Sequence, residues 1–271
     1  MMKNNNSYKL LFNQLWLACP EKISQLNPDL VIGEHWRLPH TLTTKLEKTC
    51  LLNDQLAAEV AAVKKPPHPQ PEVTVIPQPI PSLIPAVELI NNWEQLVSEI
   101  SNCRKCQLCH GRTNVVIERG NRESDWMFIG EGPGEQEDLQ GRSFVGVSGQ
   151  LLDKMIRAMQ LEPAKDIYIC NVVKCRPPYN RNPQPAEISA CKNYLLSQIN
   201  LVKPRIIVTL GRFASQTILN TDLATGKLRG TVHYSGTIPV IVTYHPAYLL
   251  RNPSAKKDVW QDLQLAMQVF G

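Results

Sequence analysis

Four short apolar runs restrict the folds open to this chain more than anything else in it. They are Trp126–Ile129, which ends in Gly130; Ile167–Val173; Arg205–Leu210, stopped by Gly211; and Ile238–Thr243. Each is continuous rather than alternating, so each has to bury both faces of a strand. Helical periodicities separate them. Residues 148–160 repeat Leu151, Leu152, Met155, Ile156 and Met159, and further helical stretches run over 185–202, 213–219 and 255–270. Another, over 93–100, leads into Cys103. Strands alternating with helices predict an α/β fold, a parallel sheet covered on both faces. In such sheets ligands bind beyond the carboxyl ends of the strands, where this chain keeps its unusual residues.

A proline tract divides the chain. Eight of the twenty residues from Pro66 to Pro85 are proline. Such a stretch favours extended polyproline II over helix or central strand, so residues 65–92 read as a semi-rigid linker. Before it, helical signals at 9–17 and 41–62 make residues 1–64 an N-terminal extension, helical or partly disordered, too small for a confident core of its own. Its apolar residues Leu10, Leu11, Leu15 and Trp16 suit docking to a protein partner or back onto the catalytic domain. The catalytic domain is expected over 93–271, in a monomer. No run of 18 apolar residues exists, and the segment around Leu10 lacks the basic flank and cleavage site of a signal peptide, so a cytoplasmic protein without a membrane span is expected. Residues 1–92 carry eight Lys or Arg against eight Asp or Glu, whereas residues 93–271 carry 21 against 16. The whole positive excess lies downstream of the linker, which fits either a solvated surface or a patch for a polyanion.

Cys103-x2-Cys106 and the distant pair Cys175-x15-Cys191 suit a metal centre, because soft thiolates drawn from separate segments are its usual donors. Zinc and an iron–sulfur cluster both use such pairs. A zinc ribbon ordinarily repeats the Cys-x2-Cys spacing, so the long proline-stiffened spacer here fits a cluster better. Cys109 leaves the ligand set ambiguous. Cys170 sits in an apolar run and reads as a buried hydrophobe, and Cys19 and Cys50 belong to the extension.

The loops after the strands carry the chemistry. Gly130-Glu131-Gly132-Pro133-Gly134 has glycines for close approach of backbone to a ligand. It lacks the Gly-Lys-Ser/Thr ending of a P-loop, and its acids would repel a pyrophosphate. Acids there suit a neutral centre or one developing positive charge, such as a glycosidic carbon. Phe144, on a glycine-flanked loop, offers a ring for stacking. Asn171 ends its run with an amide able to read a pyrimidine edge. His245, Pro246 and the segment to Arg251 suit a rigid turn with a wedge and a phosphate contact.

Taken together, four segments resemble family 4 uracil-DNA glycosylase: Gly-Glu-Gly-Pro-Gly-Glu-Gln-Glu-Asp at 130–138, Gly-Arg-Ser-Phe-Val-Gly at 141–146, Asn-Val-Val-Lys-Cys-Arg-Pro-Pro at 171–178, and His-Pro-Ala-Tyr-Leu-Leu-Arg at 245–251. The opening Cys-x2-Cys-x-Leu-Cys-x2-Arg-Thr is similar too, and the resemblance spans roughly 97–271. It implies a three-layer α/β/α sandwich with a mainly parallel sheet, and a 4Fe-4S cluster on Cys103, Cys106, Cys175 and Cys191. It also implies a hydrolase that flips uracil from DNA and cuts its N-glycosidic bond in base excision repair. Glu131, Glu137 and His245 are the implied catalytic positions, Gly132, Phe144 and Asn171 the base-binding ones, and Leu249, Leu250 and Arg251 the DNA contacts. Within that scheme Glu131 orients water or balances a cationic sugar, and Glu137 or its neighbours crowd thymine's methyl group. Ser143 departs from the proline usual in the family. A related branch that traps DNA covalently carries an extra loop absent here, where Gly149 runs directly into Leu151 and Leu152. A cluster-stapled binding module without catalysis, and a glycosylase for another damaged base, are the competing expectations. The first leaves the acid loop and His245 without a task.

Overall fold

The computed structural model describes residues 89–271. The N-terminal extension, nearly all of the linker, the two helices expected there, and Cys19 and Cys50 lie outside the described residues.

The sheet has six strands: β1 (Arg119–Gly120), β2 (Trp126–Gly130), β3 (Ile167–Asn171), β4 (Ile206–Leu210), β5 (Val232–Ser235) and β6 (Ile238–Thr243). Their order is β1-β3-β2-β4-β6-β5. The four expected runs form the centre, β3-β2-β4-β6, and all their pairings are parallel. Two short strands add antiparallel edges, β1 on β3 and β5 on β6. These edges escaped the sequence reading for different reasons. A two-residue strand has no periodicity to detect. The β5–β6 hairpin, however, did leave a signal, since Ser235 and Ile238 flank a two-residue Gly236-Thr237 connection with Gly236 in the left-handed region (φ 61°).

Every residue of β2, β3 and β4 is buried, as continuous apolar runs require. One face of the sheet, through Met127, Ile129, Tyr168 and Val242, packs into a core shared with Leu96, Leu195 and Ile218. Those partners come from α1 (Trp93–Ser101), α4 (Pro185–Val202) and α5 (Arg212–Leu219). The opposite face meets α8 (Lys256–Phe270): Trp126 lies 4.7 Å from the Phe270 ring, and Thr243 donates to Asp262 at 2.8 Å. The sandwich therefore has helices on both sides. Full burial of each Leu, Ile or Phe contributes about 1.5–3 kcal/mol relative to exposure, so these two faces supply most of the drive to fold. The remaining helices are α2 (Glu135–Gln140), α3 (Val147–Ala158), α6 (Thr225–Leu228) and α7 (Pro246–Arg251). None of the described helices is long and apolar enough to cross a membrane.

Parallel pairing sends the carboxyl ends of the central strands to one edge. Gly130 lies opposite Asn171 in register, and Thr243 opposite Leu210. The loops that follow β2, β3 and β6 thus start side by side.

The chain is tied to this domain just ahead of α1. Ile90 N–H donates to Ser197 at 3.1 Å, Asn200 donates to Asn91 at 2.8 Å, and Asn92 caps α1 by accepting from the Glu94 and Gln95 amides. A chain beginning at Val87 keeps all of these contacts. It should fold and melt within a few degrees of the full-length protein by calorimetry, and loss of cooperative melting would show that residues 1–86 belong to the core.

Candidate active site

Glu137 organises the loops at the carboxyl edge of the sheet. It is the third residue of α2, and its carboxylate reaches back to the Gly134 amide at 3.1 Å, the N3-to-N-cap half of a capping box, since glycine has no side chain to supply the other half. The other oxygen leaves the helix and accepts from the Val145 and Gly146 amides at 2.8 and 2.7 Å. One side chain therefore joins the acid loop after β2 to the loop that carries Phe144. Hydrogen bonds to a charged acceptor contribute about 1.5–3 kcal/mol each, so this clamp is strong. The next residue, Asp138, is buried and accepts from the Thr113 and Asn114 amides at 3.0–3.2 Å. It fastens the same short helix to the segment after the first cysteines.

Phe144 is held in the left-handed region at φ 55°, a conformation that costs a bulky residue on the order of 1–3 kcal/mol and persists only when its surroundings enforce it. The clamp at Val145 and Gly146 supplies that enforcement one and two residues later. The ring sits over Gly130 and beside Asn171. A Cβ on Gly130 would fall 2.5 Å from both the Phe144 ring and Asn171 Oδ1, so only glycine lets the two approach across the end of β2. Gly132 is similarly tight, its place for a Cβ lying 2.8 Å from Val173. Asn171 is buried, and its Oδ1 has no hydrogen-bond partner. An unpartnered buried acceptor is costly, and at the wall of a cleft it is a place kept for a ligand's donor.

His245 caps α7. Its Nδ1 accepts from the Ala247 amide at 3.1 Å, which leaves the proton of the neutral ring on Nε2. Burial, and after it the charge of Arg251, pulls the imidazole down to about 4, so the ring is neutral across the physiological range and donates from Nε2. Its ring centroid lies 5.5 Å from that of Phe144 at 31°. Glu131 has the opposite shift. Burial pushes its carboxyl up to about 6, against the pull of Arg212.

These side chains share one cleft of about 410 Å³, lined by Glu131, Gly132, Glu137, Phe144, Asn171 and His245. Arg251 and Arg181 stand at the same cleft. Seven of the residues expected from the sequence are thus brought together. One expectation needs correcting. Leu249 is fully buried, at 0% exposure, whereas Leu250 is 45% exposed. On α7 the two leucines point to different sides, and the first serves packing. Of the three residues expected at DNA, Leu250 and Arg251 are the exposed ones.

A second cavity lies behind the cleft. Cys103, Cys106, Cys175 and Cys191 line it together with Cys109 and Lys174. None of the six cysteines among the described residues is in a disulfide, and Cys170 is buried within β3 in the shared core, as an apolar residue would be. One of the cavity cysteines has a hydrogen-bond donor directed at it: the Arg112 guanidinium reaches Cys175 at 3.1 Å. Burial pushes the Cys191 thiol up to about 11. Among the described residues no three Cys, His, Asp or Glu side chains converge tightly enough for a single metal ion.

Several contributors were not legible beforehand. Asn180, Arg181 and Asn182 reach the cleft from the spacer between Cys175 and Cys191. Arg181 is fixed by a two-pronged pair to Glu187 at 2.9 and 2.6 Å. The Arg and Glu are six residues apart across a helix start, a spacing that carries no helical signature. The capping role of Glu137 did have a signal, namely a glutamate three residues into a short helix.

Comparison with known proteins agrees with this geometry. Residues 117–264 match the family model described as the uracil DNA glycosylase superfamily. A type-4 uracil-DNA glycosylase of Archaeoglobus fulgidus is 40% identical over 190 residues, which cover 67% of this chain and 95% of the relative. Type-4 enzymes of Thermotoga maritima and Saccharolobus solfataricus are 44% and 41% identical, over 92% and 85% of their own lengths. The chain belongs to the uracil-DNA glycosylase superfamily, among its type-4 members.

Proposed function

We propose that this chain is a monofunctional uracil-DNA glycosylase, which extrudes uracil from DNA and hydrolyses its N-glycosidic bond to leave an abasic site. The observation that carries this reading is the unpartnered Asn171 Oδ1, buried at the wall of a cleft that an aromatic ring and a neutral histidine also line. Uracil presents a donor at N3 to such an acceptor, a flat ring to Phe144, and an acceptor at O2 to His245. Cytosine presents an acceptor at N3 and would leave the amide oxygen unpaired. The competing reading as a binding module gives no use to a tuned carboxyl and a tuned imidazole at one cleft.

The bond to C1′ breaks as negative charge builds on the leaving base and positive charge on the sugar. His245 donates from Nε2 to O2 of the departing uracil. Preorganised donors of this kind contribute about 3–4 kcal/mol when their removal is measured. Because Nδ1 is already committed to the Ala247 amide, the ring has no rotation to pay for at that moment. Glu131 stands ionised above pH 6 and either orients the attacking water or balances the cationic sugar. Glu137 is assigned to holding the loops, with its three backbone partners as the reason. Arg181, Leu250 and Arg251 meet the DNA, and extrusion of the base, which costs a few kcal/mol, is offset there.

The second cavity is assigned to a 4Fe-4S cluster on Cys103, Cys106, Cys175 and Cys191. The donor set fits, because sulfur ligands drawn from three segments line a common cavity and Arg112 donates to one of them, Cys175. The long proline-stiffened spacer between Cys175 and Cys191, unlike the repeated Cys-x2-Cys of a zinc ribbon, favours the cluster over zinc. When bound, the cluster supplies staples rather than bond-breaking chemistry. Cys175 and Cys191 bracket the spacer that brings Asn180, Arg181 and Asn182 to the cleft.

The activity is tested with oligonucleotides bearing one uracil, single- and double-stranded, followed by alkaline cleavage. Strand scission at the uracil is expected, and none at thymine or cytosine. His245→Ala should lower the single-turnover rate by about two orders of magnitude, as loss of a preorganised donor implies, and a near-normal rate would make His245 structural. The carboxylate form of Glu131 is the active one, so the rate should fall as pH drops through about 6 and be flat there in Glu131→Gln. His245, neutral above about 4, contributes no limb in that range. Metal analysis should find iron and sulfide, with broad absorption near about 400 nm. Cys175→Ala should abolish both while Cys170→Ala keeps them, and stoichiometric zinc in anaerobic protein would reject the cluster.

A further inference from the structure

Among the described residues, Lys174 is a buried cation without a counter-ion. Its side chain is 1% exposed, and its ammonium donates to the Asn171 carbonyl and the Gln198 amide oxygen, both at 2.5 Å. Neither acceptor carries charge. The nearest carboxylate in that network is Glu118, reached only through Gln198 and the Tyr168 hydroxyl. Glu118 is already committed to Arg122 at 2.5 Å. Burying a lysine charge with no compensating anion is costly enough that proteins normally avoid it. What Lys174 does face is the cysteine cavity, which it lines. Arg112, which lines the same cavity, donates to Cys175 Sγ at 3.1 Å and to the Ser101 carbonyl at 3.1 Å.

We infer that Lys174 and Arg112 are the charge-compensating cations of the cysteine centre, and that Lys174 also holds Asn171 in place at the cleft. The inference rests on the reading of that cavity as a cluster site. Four thiolates around an iron–sulfur core leave a net negative charge, and cations lining the cavity offset it. Lys174 performs both tasks because of where it lies in the chain. It follows β3 by three residues and precedes Cys175 by one, so its side chain folds back between the centre and the strand end. The ammonium then pins the carbonyl of the residue whose side chain is the unpartnered acceptor in the cleft. Lys174 is a positioning residue, since it touches neither substrate nor reacting atoms. The two sites share one charge, and loss of the centre would remove the anion that keeps Lys174 buried beneath Asn171.

The test uses the holoprotein. Ferricyanide oxidises the cluster by taking up one electron at a time, and bleaching of the band near about 400 nm reports the rate. Removing a neighbouring cation makes that electron easier to lose, so Arg112→Gln and Lys174→Met should each bleach several-fold faster than the unchanged protein. Lys174→Met should also bind free uracil several-fold more weakly by calorimetry, because the Asn171 carbonyl loses its donor. Bleaching at the wild-type rate in both variants overturns charge compensation. Faster bleaching with undiminished uracil affinity overturns the positioning role of Lys174. If Lys174→Met does not fold, Arg112→Gln, which alters a partly exposed side chain, decides the charge claim. A wild-type protein without iron and sulfide is a separate result. It sinks the cluster reading and this inference with it, while leaving the cleft assignments standing.

Discussion

The whole active edge depends on the carboxylate of Glu137. Its three backbone bonds join two loops that the sheet brings near one another but does not itself connect. With that clamp made, Phe144 is held at a positive φ, its ring lies over Gly130, and the cleft has its aromatic wall. Without it, the acid loop and the Phe144 loop would be separate excursions, each free to relax. Asp138, the adjacent residue, fixes the same helix to the segment after the first cysteines through the Thr113 and Asn114 amides. A six-residue helix thus carries two acidic anchors aimed in different directions, which is why so short an element can hold a site.

Around that frame the electrostatics separate two roles. A histidine whose Nδ1 is occupied and whose protonation is suppressed stays a neutral donor, suited to an oxygen that is gaining charge. A carboxyl whose affinity for its proton is raised by burial, yet held back by Arg212, remains ionised at neutral pH but close to its limit. Placing the two at one cleft lets charge separate there, positive towards the acid and negative towards the imidazole. That is the separation needed to break a bond between a base and a sugar.

Much of this was legible in the sequence, and the reasons differ by element. The central strands were visible because a strand buried on both faces has to be continuously apolar, and Trp126–Gly130 and Ile206–Leu210 are. The edge at β1 was not, since that strand is too short to carry a pattern. Glu131, Phe144, Asn171 and His245 could be named because each ends a strand or opens a loop beside glycine or proline. Leu249 was misassigned because neighbouring apolar residues on a short helix look alike until packing chooses one for the core. Arg181 and Lys174 act through partners distant in sequence, or through what lies behind a strand end, and such relations have no local signature. The work of Glu137 was half visible: its acidity marked the loop, but its bonds to Val145 and Gly146 needed the fold.

The central claim is that Glu137 holds the cleft together and does not itself act on the substrate. Hydrogen exchange on Glu137→Gln, combined with single-turnover uracil excision, tests it most directly. An amide keeps one acceptor oxygen and presents N–H groups where the other stood, so it cannot serve all three backbone donors. The account predicts that the Val145 and Gly146 amides lose protection, that excision falls by more than about tenfold, and that affinity for free uracil falls with it as the Phe144 wall loosens. Full protection at both amides, with uracil affinity intact and only the rate reduced, would contradict the account and make Glu137 a catalytic group.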